Sequence, residues 1–145
     1  MVWSKAADTF YYVDTPTQQI QAFDYDAETG AITRRRVIAE IPKSEGAPDG
    51  MAIDSEDHLW IALWGGAKVV RVNPLSAEVD FEVRVGALNV TSCAFGGDHL
   101  DELYITSASV GMSSEQARQF PTAGGLFRVS VPYQGVPTPR FGRDF

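Results

Sequence analysis

Apolar runs of three to six residues recur along the chain, each closed by Gly, Pro, Asp or Asn. The clearest set is Met51-Ala52-Ile53, Leu59-Trp60-Ile61-Ala62-Leu63 and Val69-Val70-Arg71-Val72. Pro48-Asp49-Gly50 stands ahead of the first run, Gly65-Gly66 after the second and Asn73-Pro74 after the third. Runs this short, rich in β-branched and aromatic residues and bounded by turn formers, predict strands. The pattern occurs three times: Phe10-Tyr11-Tyr12-Val13-Asp14 aligns with Leu59 to Leu63 at an offset of 49, and Leu59 with Leu103-Tyr104-Ile105-Thr106-Ser107 at 44. A period of roughly 45 to 50 residues is that of propeller blades.

Each repeat resolves into four predicted strands. The inner strands are Met1-Val2-Trp3, Met51-Ala52-Ile53 and Cys93-Ala94-Phe95. The third strands are Ile20 to Tyr25, Lys68 to Val72 and Gly125 to Val129, and the more polar fourth strands are Ala31 to Ala39, Val79 to Val85 and Pro137 to Phe141. Asp49 is expected just outside its inner strand, projecting from the mouth of the sheet. Helical periodicity is confined to Ser113 to Gln119, within a loop from Ser109 to Thr122 that is expected to line a binding mouth. The fold class is all-β, a single propeller region with about three blades, spanning approximately 1–47, 48–90 and 91–145. Three blades leave two faces uncovered, since propellers typically need four or more. Either the region belongs to a longer chain or two copies, a homodimer, close a ring by two-fold symmetry.

Composition narrows the function classes. At 145 residues, 44% hydrophobic and 21% charged, the chain suits one soluble domain, and no run approaches the roughly 18 apolar residues of a membrane span. Met1-Val2-Trp3-Ser4-Lys5 carries no basic stretch followed by an apolar one, so no signal peptide is predicted. A formal charge of −7 argues against nucleic acid as a partner, and Arg34-Arg35-Arg36 reads as a solvated strand edge. The single cysteine, Cys93, cannot form an internal disulfide, which favours a reducing, cytoplasmic setting.

The candidate chemistry centres on Asp49. A carboxylate between Pro and Gly at a strand end suits either a metal ligand and base or simple turn formation. Thr91 and Ser92 hold the equivalent position before the third inner strand, where hydroxyls either line a channel or bond the strand end. Cys93 reads as a small buried hydrophobe. His58 and His99 lie in acidic turns with no metal-binding spacing, and Asp14, Asp24, Asp26, Asp54 and Asp57 read as turn residues. Trp60, Trp64, Tyr11, Tyr104 and Phe127 are expected between blades, Trp64 having the mouth as its alternative.

The runs Pro48 to Asp54, Leu59 to Ala62, Trp64-Gly65-Gly66, Thr91 to Gly97, Leu103 to Ala108 and Ala123 to Phe127, with Phe10 to Thr15 and Ala22 to Asp26, resemble the SMP-30/gluconolactonase/regucalcin family. The resemblance implies half, the C-terminal half, of a six-bladed β-propeller that hydrolyses small-molecule lactones with a divalent cation, Ca, Zn, Mg or Mn, at one end of its channel. It further implies that Asp49, in its Pro-Asp-Gly step, is both metal ligand and catalytic base; Thr91 and Ser92, from their equivalent position alone, are candidate substrate-binding residues. The family's other ligands, a Glu from the first blade and an Asn from an Asn-Gly step, have no counterpart in this sequence. A non-catalytic half-propeller binding calcium or a protein partner is the alternative.

Overall fold

A computed structural model of the chain describes residues 1–138, which form eleven strands, two 3-10 turns and one short helix. Strands β1 (Val2–Trp3), β2 (Thr9–Asp14), β3 (Gln19–Tyr25) and β4 (Ile32–Glu40) make one antiparallel meander. A second comprises β5 (Ala47–Ile53), β6 (Leu59–Trp64), β7 (Lys68–Val72) and β8 (Val79–Arg84). The third has β9 (Asn89–Gly96), β10 (Glu102–Ala108) and β11 (Leu126–Ser130). The period in the sequence is thus the period of the sheets. Helix α1 (Ser114–Gln119) is capped by Ser113, whose side chain accepts from Gln116 N while Gln116 reaches back to Ser113 N.

The core lies between sheets, in two layers. Tyr11, Val13, Ile20 and Ala22 of the first sheet pack on Met51, Ile53, Leu59, Ile61, Leu63, Val70 and Val72 of the second. The second sheet's other face sends Trp60, Ala62 and Val69 onto Val90, Cys93, Leu103 and Ile105 of the third. A strand covered on both faces has no solvent side, so β6 reads as an unbroken apolar run, every residue from Leu59 to Leu63 being at most 1% exposed. Each fully buried Leu or Ile there contributes about 1.5–3 kcal/mol. The outer strand β4 is exposed and irregular: Arg36 pairs with Asp24 at 2.7 Å, Arg35 Nε donates to Gln21 at 2.9 Å, and two register shifts interrupt its pairing. Arg34 to Arg36 therefore form the charged strand edge that their sequence suggests.

The first sheet's far face carries an aromatic ladder that no described sheet covers. Trp3 and Phe10 have ring centroids 5.1 Å apart, Phe10 and Phe23 5.9 Å, and Trp3 and Tyr25 5.8 Å. Trp3 remains 40% exposed and Tyr12 43%.

Two expectations need correction. The third sheet has three strands among the described residues, not four. Ser55 N donates to Gln134 O at 2.7 Å and Asp54 bridges to Gly135, which draws the chain after β11 back toward the second sheet. Val136, Pro137 and Thr138 consequently line a groove with Met51, Cys93 and Phe95 along the inner strands, on the opposite margin from β11. Residues 139–141 of the expected fourth strand lie outside the described residues.

The second correction concerns Asp54, which is more than a turn residue. Its Oδ1 accepts from Glu56 N and His58 N at 3.0 Å each, the turn role. Its Oδ2 accepts from Trp60 Nε1 at 2.8 Å and Arg71 Nε at 2.7 Å, with Asp54 wholly buried and Arg71 2% exposed. The guanidinium also binds Asp80 and Glu56, and its central carbon lies 3.9 Å from the ring centroid of Tyr133. His58, far from a free surface residue, is 3.4 Å from Asp80 in the same cluster. Removing one partner of such a pair strands a buried charge, so Asp54→Ala is expected to cost about 3–5 kcal/mol of stability in urea unfolding. Glu56→Gln, at the exposed rim, is expected to cost about 1 kcal/mol or less. Equal losses would contradict a buried anchor.

Among the described residues no helix is long and apolar enough to cross a membrane.

Candidate functional site at the mouth of the second and third sheets

The end of the sheets remote from Asp54 is shaped by two matching bulges. On β5, Pro48 pairs with Leu63 and Met51 with Ile61, so Asp49 and Gly50 together oppose the single residue Ala62. On β9, Ser92 pairs with Thr106 and Val90 with Ser107, leaving Thr91 as the extra residue. Counted from the equivalent pairs Met51–Ile61 and Cys93–Ile105, Asp49-Gly50 and Thr91-Ser92 hold the same two positions. Asp49 thus lies inside its strand rather than ahead of it. The bulge lets β5 continue pairing to Ala47–Trp64 while the ladder is locally opened at Asp49.

Gly50 is required by the approach of the two inner strands. A Cβ placed there would meet Ser92 Oγ at 2.3 Å and Ser92 Cα at 2.6 Å, contacts that nothing but displacement of a backbone relieves. The Pro-Asp-Gly step therefore sets a strand-to-strand distance as well as a bend.

Asp49 is half-buried, and its carboxyl makes no hydrogen bond or ion pair with any described residue. Burial alone raises its carboxyl above the ordinary 3.8. Thr91 is committed to a partner, its Oγ1 lying 2.7 Å from Thr106 Oγ1, and Ser92 packs on Gly50. Cys93 donates to Trp60 O at 3.4 Å, and burial pushes its thiol up to about 12, which leaves it without nucleophilic character at neutral pH. His58 belongs to the opposite end, and the exposed His99 offers its carbonyl to Gln134. Among the described residues no group of three His, Cys, Asp or Glu is placed to hold a metal.

Trp64 ends β6 at this mouth, and with Asn89 and the loop carrying α1 it lines a cleft of about 330 Å³. The long loop therefore lines a mouth, as its position in the third repeat suggests. Asn89 was invisible to sequence reasoning, because an Asn ahead of a strand ordinarily reads as a turn residue.

Stacked antiparallel meanders with consecutive strands as neighbours define a β-propeller region. The chain belongs to the SMP-30/Gluconolactonase/LRE-like family, whose characteristic region matches residues 1–109. It is 41% identical over 136 residues to regucalcin of Danio rerio, covering 93% of this chain and 46% of that protein. It is 40% identical over 138 residues to Bacillus subtilis YvrE, whose name proposes a sugar lactone lactonase, covering 93% and 47%. A solved calcium-binding protein, regucalcin from Agrobacterium tumefaciens, superposes with a TM-score of 0.87 at 28% identity, covering 94% of this chain and 46% of that one. The chain spans about half the length of the curated relatives it matches.

A carboxyl that titrates higher in the folded than in the unfolded chain contributes stability that is complete below the unfolded value and is lost as pH rises through the folded one. Asp49→Asn is therefore expected to raise Tm at about pH 7 and to leave it unchanged at about pH 3. An unchanged or lower Tm near neutrality would show that Asp49 has a stabilising partner.

Proposed function

We propose that this chain forms part of a sugar lactone hydrolase in which Asp49 works at the mouth of the propeller. The observation that carries this reading is a half-buried carboxyl, raised by burial and unpartnered among the described residues, held on a bulge where two inner strands meet. The names of the B. subtilis relative and of the matched family support the reaction class.

Lactone hydrolysis adds the oxygen of water to the ring carbonyl carbon, breaks the ring C–O bond and delivers the water proton to the leaving oxygen. Asp49 takes that proton as the oxygen attacks and returns it as the ring opens, a role for which a carboxyl above its usual range is better matched than an ordinary one. The hard oxygens of Asp49 suit one ligand position of a divalent cation such as Ca²⁺, Mg²⁺, Mn²⁺ or Zn²⁺. Such an ion, when bound, lowers the pKa of water and stabilises the developing oxyanion. Asp49 alone does not complete a cation site, so a bound ion would need further oxygen ligands from other blades. The uncovered aromatic ladder of Trp3, Phe10, Phe23 and Tyr25 is where further blades would pack, whether from more of the same polypeptide or from a second copy. The free, buried Cys93 is consistent with a cytoplasmic setting.

A second reading, calcium binding without hydrolysis, draws on the description of the A. tumefaciens neighbour as calcium-binding. Calcium calorimetry and gluconolactone hydrolysis, each with wild type and Asp49→Ala, separate the two. Hydrolysis that falls by about 100-fold or more in the variant, with calcium binding weakened, is expected. Calcium binding lost in the variant without hydrolysis in either protein would favour the second reading. Hydrolysis unaffected by the substitution would overturn the role of Asp49.

A further inference from the structure

The cleft beside Trp64 is built from neutral groups throughout. Its apolar wall is the Trp64 side chain with Leu88, Val110 and Met112, and its polar groups are the amides of Asn89 and Gln116. Asn89 is only 5% exposed, and its Nδ2 donates to Val110 O at 3.1 Å. Its Oδ1 accepts no hydrogen bond from a described residue, and since no fully buried side-chain polar atom there lacks a partner, Oδ1 keeps solvent contact in a residue that lines the cleft. Gln116 commits its Oε1 to Ser113 N at 2.8 Å, leaving its Nε2 as a donor. One acceptor and one donor thus flank an indole, with no ionic side chain on the wall.

We propose that this cleft is a substrate-selecting subsite for a neutral hydroxylated ring, the portion of a substrate remote from the carbonyl that Asp49 serves. Alternating hydroxyls meet the Asn89 acceptor and the Gln116 donor, while the C–H face of the ring lies against the indole. A carboxylate-bearing ring finds no cation to pair with and would be desolvated at a cost. Trp64 pairs with Ala47, two residues from Asp49 along β5, about 7 Å at the rise of a strand. Cleft and carboxyl thus lie at the same end of the sheets. The name "substrate" rests on the lactonase reading; ring binding does not.

The test is an NMR titration of the full chain with methyl β-glucoside, followed at the Trp indole and Asn side-chain signals. The Trp64 indole, assigned by its absence in Trp64→Phe, and the Asn89 amide are expected to shift saturably while the Trp60 indole stays fixed. Glucuronate is expected to bind at least about tenfold more weakly, for want of a cation. Trp64→Ala is expected to weaken binding of the glucoside by about tenfold. Gln116→Glu keeps the capping box and so the helix, and is expected to weaken it similarly. No saturable shift at Trp64, equal binding of the charged ring, or indifference to both variants would overturn the subsite. If the titration succeeds where gluconolactone is not hydrolysed, the ring site stands and only the lactonase reading falls.

Discussion

The buried contact between Asp54 and Arg71 is the constraint on which the rest of the arrangement depends. A carboxylate with no exposure is stable only if its oxygens are occupied, and here two backbone N–H groups, an indole N–H and a guanidinium occupy them. The four donors come from three parts of the second sheet, so satisfying Asp54 fixes the β5–β6 turn, the rotamer of Trp60 and the position of Arg71 together. Trp60 then presents its ring to Phe81, Phe95 and Tyr133, with centroids 5.8, 5.3 and 5.7 Å away, and Arg71 stacks on Tyr133. The third sheet and the segment that follows it are docked through these aromatic contacts.

What happens at the far end follows from that docking. Once β9 is held against β5, the inner strands approach until Gly50 touches Ser92, and the extra residue in each strand has to bulge where they meet. Asp49 is left on the bulge, desolvated by its neighbours and with no counter-charge among the described residues. That is an unfavourable place for a carboxylate, and perturbed carboxyls cluster at functional sites, which is why the proposed role falls on Asp49. Stability is thus concentrated at the Asp54 end and surrendered at the Asp49 end of the same strand. The single α1 turn and its loop add the neutral cleft beside this mouth without entering either core layer.

Much of the fold was legible because its strongest signal is repetition. Leu59 to Leu63 and its counterparts gave the sheet count, and β2, β3, β6, β7 and β10 fall where the apolar runs are. The bulge was not legible, because Pro-Asp-Gly looks the same in a turn as in a strand that carries one residue too many; only the pairing register distinguishes them. Asp54 was read as a turn former, which is half of its role. The other half had a signal in Arg71, a cation in the otherwise aliphatic run Val69-Val70-Arg71-Val72, since a charge in a fully buried strand demands a buried partner. The path after β11 was set by backbone bonds from Ser55 and Asp54 to Gln134 and Gly135, contacts some 80 positions apart in the sequence that no local pattern encodes. Asn89 escaped notice because nothing in its neighbourhood distinguishes an Asn that opens a strand beside a cleft from one in a turn.

The most direct test of this division between an anchored and a functional end is the titration of the Asp49 carboxyl carbon by NMR. A midpoint above the ordinary 3.8 is expected, moved there by burial without a partner. A midpoint at or below that value would mean that Asp49 is paired or fully solvated, and the mouth would then hold no carboxyl poised to act.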